Sequence, residues 1–118
     1  MYTRTLTVLA AALLATGCAP KNTSLYHWGN YEGVVHDMYL KPGEAPAQTQ
    51  IDKITRDIQE SQAQGKRVAP GLYAHLGMMY AAEGQSAQAR ESLLKEKQLY
   101  PESTVLIDTL LKNQQGSH

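Results

Sequence analysis

The sequence predicts an all-α fold, and three observations carry that reading. Ala, Leu, Gln, Glu and Lys are plentiful while Phe is absent and Ile and Val are few, a balance that favours helices over strands. Apolar residues recur at three- and four-residue steps in five successive segments, each closed by glycine or proline or opened by a capping residue. No segment alternates with period two for long enough to make a strand. At 118 residues the chain is one domain.

The first predicted helix spans residues 25–40, with Ser24 as its N-cap. Leu25, Trp28, Tyr31, Val35, Met38 and Tyr39 share one face, and Lys41-Pro42-Gly43 stops the helix. Gly29 inside it costs about 1 kcal/mol relative to Ala, so something is expected to pack closely there. Trp28 and Gly29 would then dock this helix against a later one at 70–83.

The second helix, 49–64, opens at Thr49 with Asp52 three residues on, in the manner of a capping box. Ile51, Ile54 and Ile58 line its apolar face, Asp52, Arg56 and Glu60 stack on another, and Gly65 ends it. The third, 70–83, takes Pro70 in its first turn, carries Leu72, Tyr73, Leu76, Met79 and Tyr80 as its stripe, and ends at Gly84. The fourth begins near Ser86 and carries Ala89, Leu93 and Tyr100, with Glu91 and Lys95 paired outside and Pro101 beyond. Ser103 caps a short fifth helix, 104–112, built on Leu106, Leu110 and Leu111. The helical domain is thus expected over 24–113, with 114–118 as a disordered tail.

The segment Met1–Cys18 reads differently. A short start carrying Arg4 precedes an apolar run from Leu6 to Ala15 and then small residues, the order of a secretory signal. The run is roughly half the about 20 residues that a transmembrane helix needs. Leu14-Ala15-Thr16-Gly17-Cys18 resembles the bacterial lipobox. The resemblance implies removal of residues 1–17, diacylglycerol on the Cys18 sulfur and an acyl chain such as palmitate on its freed amine. Ala19, rather than Asp, after the cysteine resembles sorting to the outer membrane. Residues 18–23 become the acylated cysteine and its tether, and two or more acyl chains hold a protein stably where one does not. The expected location is the outer membrane, lipid-anchored on the periplasmic side. Apart from that covalent lipid no cofactor is expected.

Residues 70–103 resemble a tetratricopeptide repeat. Tyr73 and Tyr80 stand at its bulky positions, Leu76-Gly77 at its Leu-Gly pair, Gly84 at its turn, Ala89 and Leu93 at its small and large positions, and Pro101 at its close. Gly77 and Ala89 are small where two helices cross closely, and the tyrosines and leucines fill the space beside them. Glu96 occupies the place of a further small residue, which predicts loosened packing or an outward-turned side chain. The resemblance implies tetratricopeptide-like antiparallel helix pairs with a short capping helix. It also implies a groove faced by Gly71, Ala74, Met78 and Ala82, all small or apolar.

With the lipobox before it and the repeat after it, Trp28-Gly29-Asn30-Tyr31-Glu32 matches a Trp-Gly-x-Tyr-Glu motif. The chain resembles a family of small bacterial lipoproteins of unknown function that carry this motif. Its members are often encoded beside a lipoprotein similar to the curli secretion channel. The resemblance implies work at the outer membrane alongside another outer-membrane lipoprotein. The expected function is a non-enzymatic adaptor or accessory factor for a membrane or secretion-channel complex. The alternative is a binding module for a surface-fibre subunit or peptidoglycan. Trp28, Tyr31, Glu32 and Met78 are the expected partner-binding residues, since aromatic side chains bury large area for few rotatable bonds.

Little chemistry is visible. Eleven Lys and Arg balance eleven Asp and Glu, so no basic face for nucleic acid is expected. One cysteine makes neither a disulfide nor a Cys-based zinc site. Glu32 and His36, four apart, could share a helical face, but His27 reads as lying on another face and His75 on another helix. No metal site and no catalytic residue are therefore expected.

Overall fold

The computed structural model describes residues 24–116. The predicted signal peptide 1–17, Cys18, the tether up to residue 23, and residues 117–118 lie outside the described residues. Five α-helices carry the fold: α1 Tyr31–Leu40, α2 Ala47–Ala63, α3 Leu72–Ala82, α4 Ser86–Leu99 and α5 Thr104–Gln115. Two strands of two residues each, β1 Tyr26–His27 and β2 Arg67–Val68, pair in parallel. The all-α fold is as the sequence predicts. No helix among the described residues is long and apolar enough to cross a membrane.

Each helix packs on the next in sequence, and α5 also reaches α3. The core has two parts, one on each side of α3. Val34 of α1, Ile51, Ile54 and Ile58 of α2, Val68, and Leu72 and Leu76 of α3 form the first. Ala74 of α3, Leu93 of α4 and Ile107 of α5 form the second, with Leu110 and Leu111 against it. Gly77 sits at the α3–α4 contact, where an added Cβ would lie 2.8 Å from Leu93 Cγ and 3.0 Å from the Ala89 carbonyl oxygen.

The sharpest departure from expectation is at the start of the domain. Residues 24–30 are not helical: β1 is followed by a turn at Gly29-Asn30, and α1 begins only at Tyr31. Gly29 has φ +50°, a left-handed conformation open to glycine at little cost. The apolar stripe shifts accordingly. Val34 is the buried residue of α1, while Leu25 and Tyr39 are exposed. The Ser24 hydroxyl donates to the Tyr26 carbonyl, and the helix begins seven residues further on.

Other boundaries shift for local reasons. α2 starts at Ala47 after Pro46, so Thr49 lies inside the helix rather than at its cap. Pro70 lies outside α3, whose N-cap is Gly71 at φ +92°. Gly65 and Gly84 do end their helices. Each donates its N–H to the carbonyl three residues back (Gln62 and Ala81), and the residue after it donates to the one before that, a Schellman arrangement. On α5 the inward stripe is Ile107, Leu110 and Leu111, and Leu106 is 56% exposed. The Ser103 hydroxyl donates back to the Tyr100 carbonyl instead of capping. α5 runs to Gln115, two residues into the expected tail.

Candidate functional site: a carboxylate-pinned aromatic turn and an amide-lined trough

The residues that separate α1 and α3 from ordinary surface helices are two buried acids on their neighbours. Neither α1 nor α3 has a side-chain cap of its own. Asp57 on α2, fully buried, accepts the Asn30 N–H on both carboxylate oxygens at 3.1 and 3.0 Å. Glu96 on α4, 2% exposed, accepts the Gly71 N–H at 2.7 Å and the Ala74 N–H at 3.3 Å. Both acids meet helix N-termini, where unpaired N–H groups and the helix dipole favour negative charge. Glu96 is therefore neither turned outward nor a packing defect. Its carboxylate replaces the cap that Gly71, with no side chain, cannot supply.

The two caps belong to a repeated unit. Tyr26 pairs with Arg67 and His27 with Val68, 41 positions apart. The same offset relates the N-caps Asn30 and Gly71, and the first helical residues Tyr31 and Leu72. Each unit runs strand, turn, helix and helix, with the acid of the second helix capping the first.

Asp57 also explains Gly29. A Cβ there would fall 2.2 Å from Asp57 Oδ1 and 2.5 Å from its Cγ. The close packing expected at Gly29 is thus against α2, not against α3. The turn is pinned from below, and Trp28 is held on its outer side, 45% exposed. Its ring stacks on Tyr31 at 6.2 Å and meets Tyr26 edge-on at 6.0 Å. Tyr31 reaches inward to meet His75 edge-on at 5.6 Å. Burial first, then the Glu96 charge and Tyr39, raise the Tyr31 phenol above its ordinary pKa. Burial and then Glu96 do the same for Tyr73.

His75 is itself buried, and desolvation lowers its pKa. Gln50 donates its amide N–H to the Ala45 carbonyl, so its oxygen faces His75 Nε2 at 2.8 Å and accepts that N–H. At the other end of α4, Tyr100 donates its hydroxyl to the Val68 carbonyl. Arg67 lies over the Tyr26 and Tyr100 rings, 5.9 and 5.7 Å from their centroids.

Of the predicted partner-binding residues, Trp28 and Met78 are half-exposed, Glu32 is exposed and Tyr31 is half-buried. The groove expected along Gly71, Ala74, Met78 and Ala82 is not open along its length. Ala74 is covered by Leu93 and Ile107, and Gly71 is met by the Glu96 carboxylate, because α4 and α5 pack against this face of α3. A trough lies instead on the other side, where shallow hollows between α2, α3 and α4 share their linings. Tyr73 and Tyr80 line it from α3, Gln59 and Gln62 from α2, and Gln88 and Ser92 from α4. Thr55 Oγ1 faces the same region, enclosed without a hydrogen-bond partner among the described residues.

Glu32 and His36 border a separate hollow, and His36 Nδ1 approaches Asp37 at 3.4 Å. Among the described residues they form no group of three metal-ligating side chains. The group of three metal-ligating side chains among the described residues is His27, Asp57 and Glu60, whose donor atoms lie within 4.8 Å of one another. The sequence reading missed it because a helix through residue 27 would have turned His27 elsewhere; as part of β1 it lies beside α2.

The fold and its surfaces define a small, mainly helical domain with an exposed aromatic turn. Residues 25–110 match the model of the DUF4810 family, a domain of unknown function, and the chain belongs to that family. No curated protein and no solved structure shows a significant match to it.

Proposed function

We propose that this chain is an outer-membrane lipoprotein, anchored through Cys18 on the periplasmic side, whose tetratricopeptide-like domain is a non-enzymatic adaptor for a membrane or secretion-channel complex. The observation that carries the adaptor reading is Trp28. A tryptophan left 45% exposed on a turn that Gly29 and Asp57 hold rigid offers a partner large area with little ordering cost. It lies ten residues after Cys18, so a partner engaged there would be held near the bilayer. The lipobox supports the anchor, and the 41-residue strand–turn–helix–helix unit supports tetratricopeptide-like pairing.

The test is capture of crosslinked partners from cells expressing the acylated chain, with Trp28→Ala and Met78→Glu alongside. The adaptor reading expects a stoichiometric outer-membrane lipoprotein with the wild type and its loss in Trp28→Ala, with the far-ultraviolet circular dichroism unchanged. Recovery of the chain alone, beside a control complex that crosslinks well, would overturn it.

A second reading is favoured by the trough. Two tyrosines flanked by glutamines suit a polymer rich in hydrogen-bonding groups, such as a fibre subunit or peptidoglycan. Sedimentation of the protein with purified sacculi, weakened by Tyr73→Ala, is the expected result for the peptidoglycan form.

A further inference from the structure

We propose that His27, Asp57 and Glu60 form a half-open binding site for a divalent transition-metal ion, with Zn²⁺ as the representative ligand. The site offers one imidazole nitrogen and two carboxylates, a donor set suited to such ions. His27 Nε2 already lies 2.9 Å from Glu60 Oε2, and all three donor atoms fall within 4.8 Å of one another. The two sides of the site come from β1 and from one turn of α2, both held by the protein's own packing.

A second observation, independent of that spacing, is how thinly the Asp57 charge is compensated. Its carboxylate is fully buried, yet both oxygens share a single donor, the Asn30 N–H. Among the described residues no Lys or Arg forms an ion pair with Asp57 or Glu60. A buried carboxylate with one proton donor and a second carboxylate close by favours a cation. The remaining oxygen lone pairs leave room for one, since a carboxylate accepts up to about four bonds.

Access is available from one side. The His27 side chain is 21% exposed and that of Glu60 46%, so an ion can enter and water can complete its coordination. Coordination uses the Nε2 lone pair of a neutral ring, with the ring proton on Nδ1. A bound ion would tie β1 to α2 immediately before Trp28. The site does not depend on the adaptor reading or on the lipid anchor.

The experiment is calorimetric titration of the untagged full chain in detergent with Zn²⁺, and with Co²⁺ followed by visible absorption. Trp28, the single tryptophan, reports the same event by its emission. The expected result is one equivalent bound, a rise in thermal midpoint, and at least a tenfold loss of affinity in both His27→Ala and Glu60→Gln. Both substituted residues reach solvent, and circular dichroism confirms that these variants fold. His36→Ala and Glu32→Gln serve as controls and should bind as the wild type does. The proposal is overturned by absence of saturable binding, by wild-type affinity in His27→Ala and Glu60→Gln, or by loss of binding in His36→Ala.

Discussion

Truncating Glu96 to alanine should remove at least about a third of the domain's stability, and the structure says where the loss comes from. The carboxylate accepts a 2.7 Å bond from the Gly71 N–H and a 3.3 Å bond from the Ala74 N–H in a site only 2% exposed. Leaving the first donor unpaired costs about 2 kcal/mol for a charge-assisted bond, and the second, longer bond about 1. The space vacated in the close α3–α4 contact adds about 1 kcal/mol. A loss of about 4 kcal/mol is large against the roughly 5–14 expected for a domain of this size. Glu96→Gln keeps the shape and one acceptor, and should cost about half as much. Urea unfolding followed by circular dichroism at 222 nm measures both. An alanine variant that loses less than about 1 kcal/mol, or a glutamine variant worse than alanine, would refute the capping role. A second readout comes from the phenols. Glu96 helps raise the pKa of Tyr31 and Tyr73, so Glu96→Gln should move both part of the way back, with burial still holding them high.

Gly29→Ala should cost about 3–5 kcal/mol, from the left-handed backbone and the displacement of Asp57, and unfolding curves equal to wild type would contradict it. Gly77→Ala gains about 1 kcal/mol of helix propensity but pushes a methyl into Leu93 and the Ala89 carbonyl, so a net loss of about 1–2 is expected. A stabilised Gly77→Ala would mean that α3 and α4 separate more easily than their packing indicates. His75 has a folded pKa below its unfolded value, so its contribution is present above about pH 6.5 and is lost as the pH falls through that value towards the folded pKa, where the loss levels off. Stability measured from pH 8 to 5 should lose this part of its slope in His75→Gln; an unchanged slope would assign the dependence to other groups. Trp28→Ala, which removes a half-exposed ring, should cost only about 1–2 kcal/mol and leave a folded domain, and unfolding of that variant would place Trp28 in the core instead.

The five helices, the all-α class and the glycine stops at 65 and 84 were legible in the sequence because they depend on local periodicity and on single-residue conformational preference. Ile51, Ile54, Ile58, Leu72 and Leu93 read as core for the same reason, each recurring on the apolar face of its own helix. What the sequence could not place was anything set by a partner on another element. Gly29 read as a costly residue within a helix, since nothing local announces that Asp57, 28 positions later, needs the room a side chain would take. Glu96 read as a misfit because its meaning lies with two N–H groups on a different helix. His27 read as lying away from any ligand until β1 set it beside Glu60. The chain's hydrophobic pattern thus determined which segments are helical and, on α2 and α4, which faces they bury, through interactions within a few residues. Only the tertiary structure decided where the buried carboxylates go, because a charge removed from water must find its donors wherever the packed chain brings them.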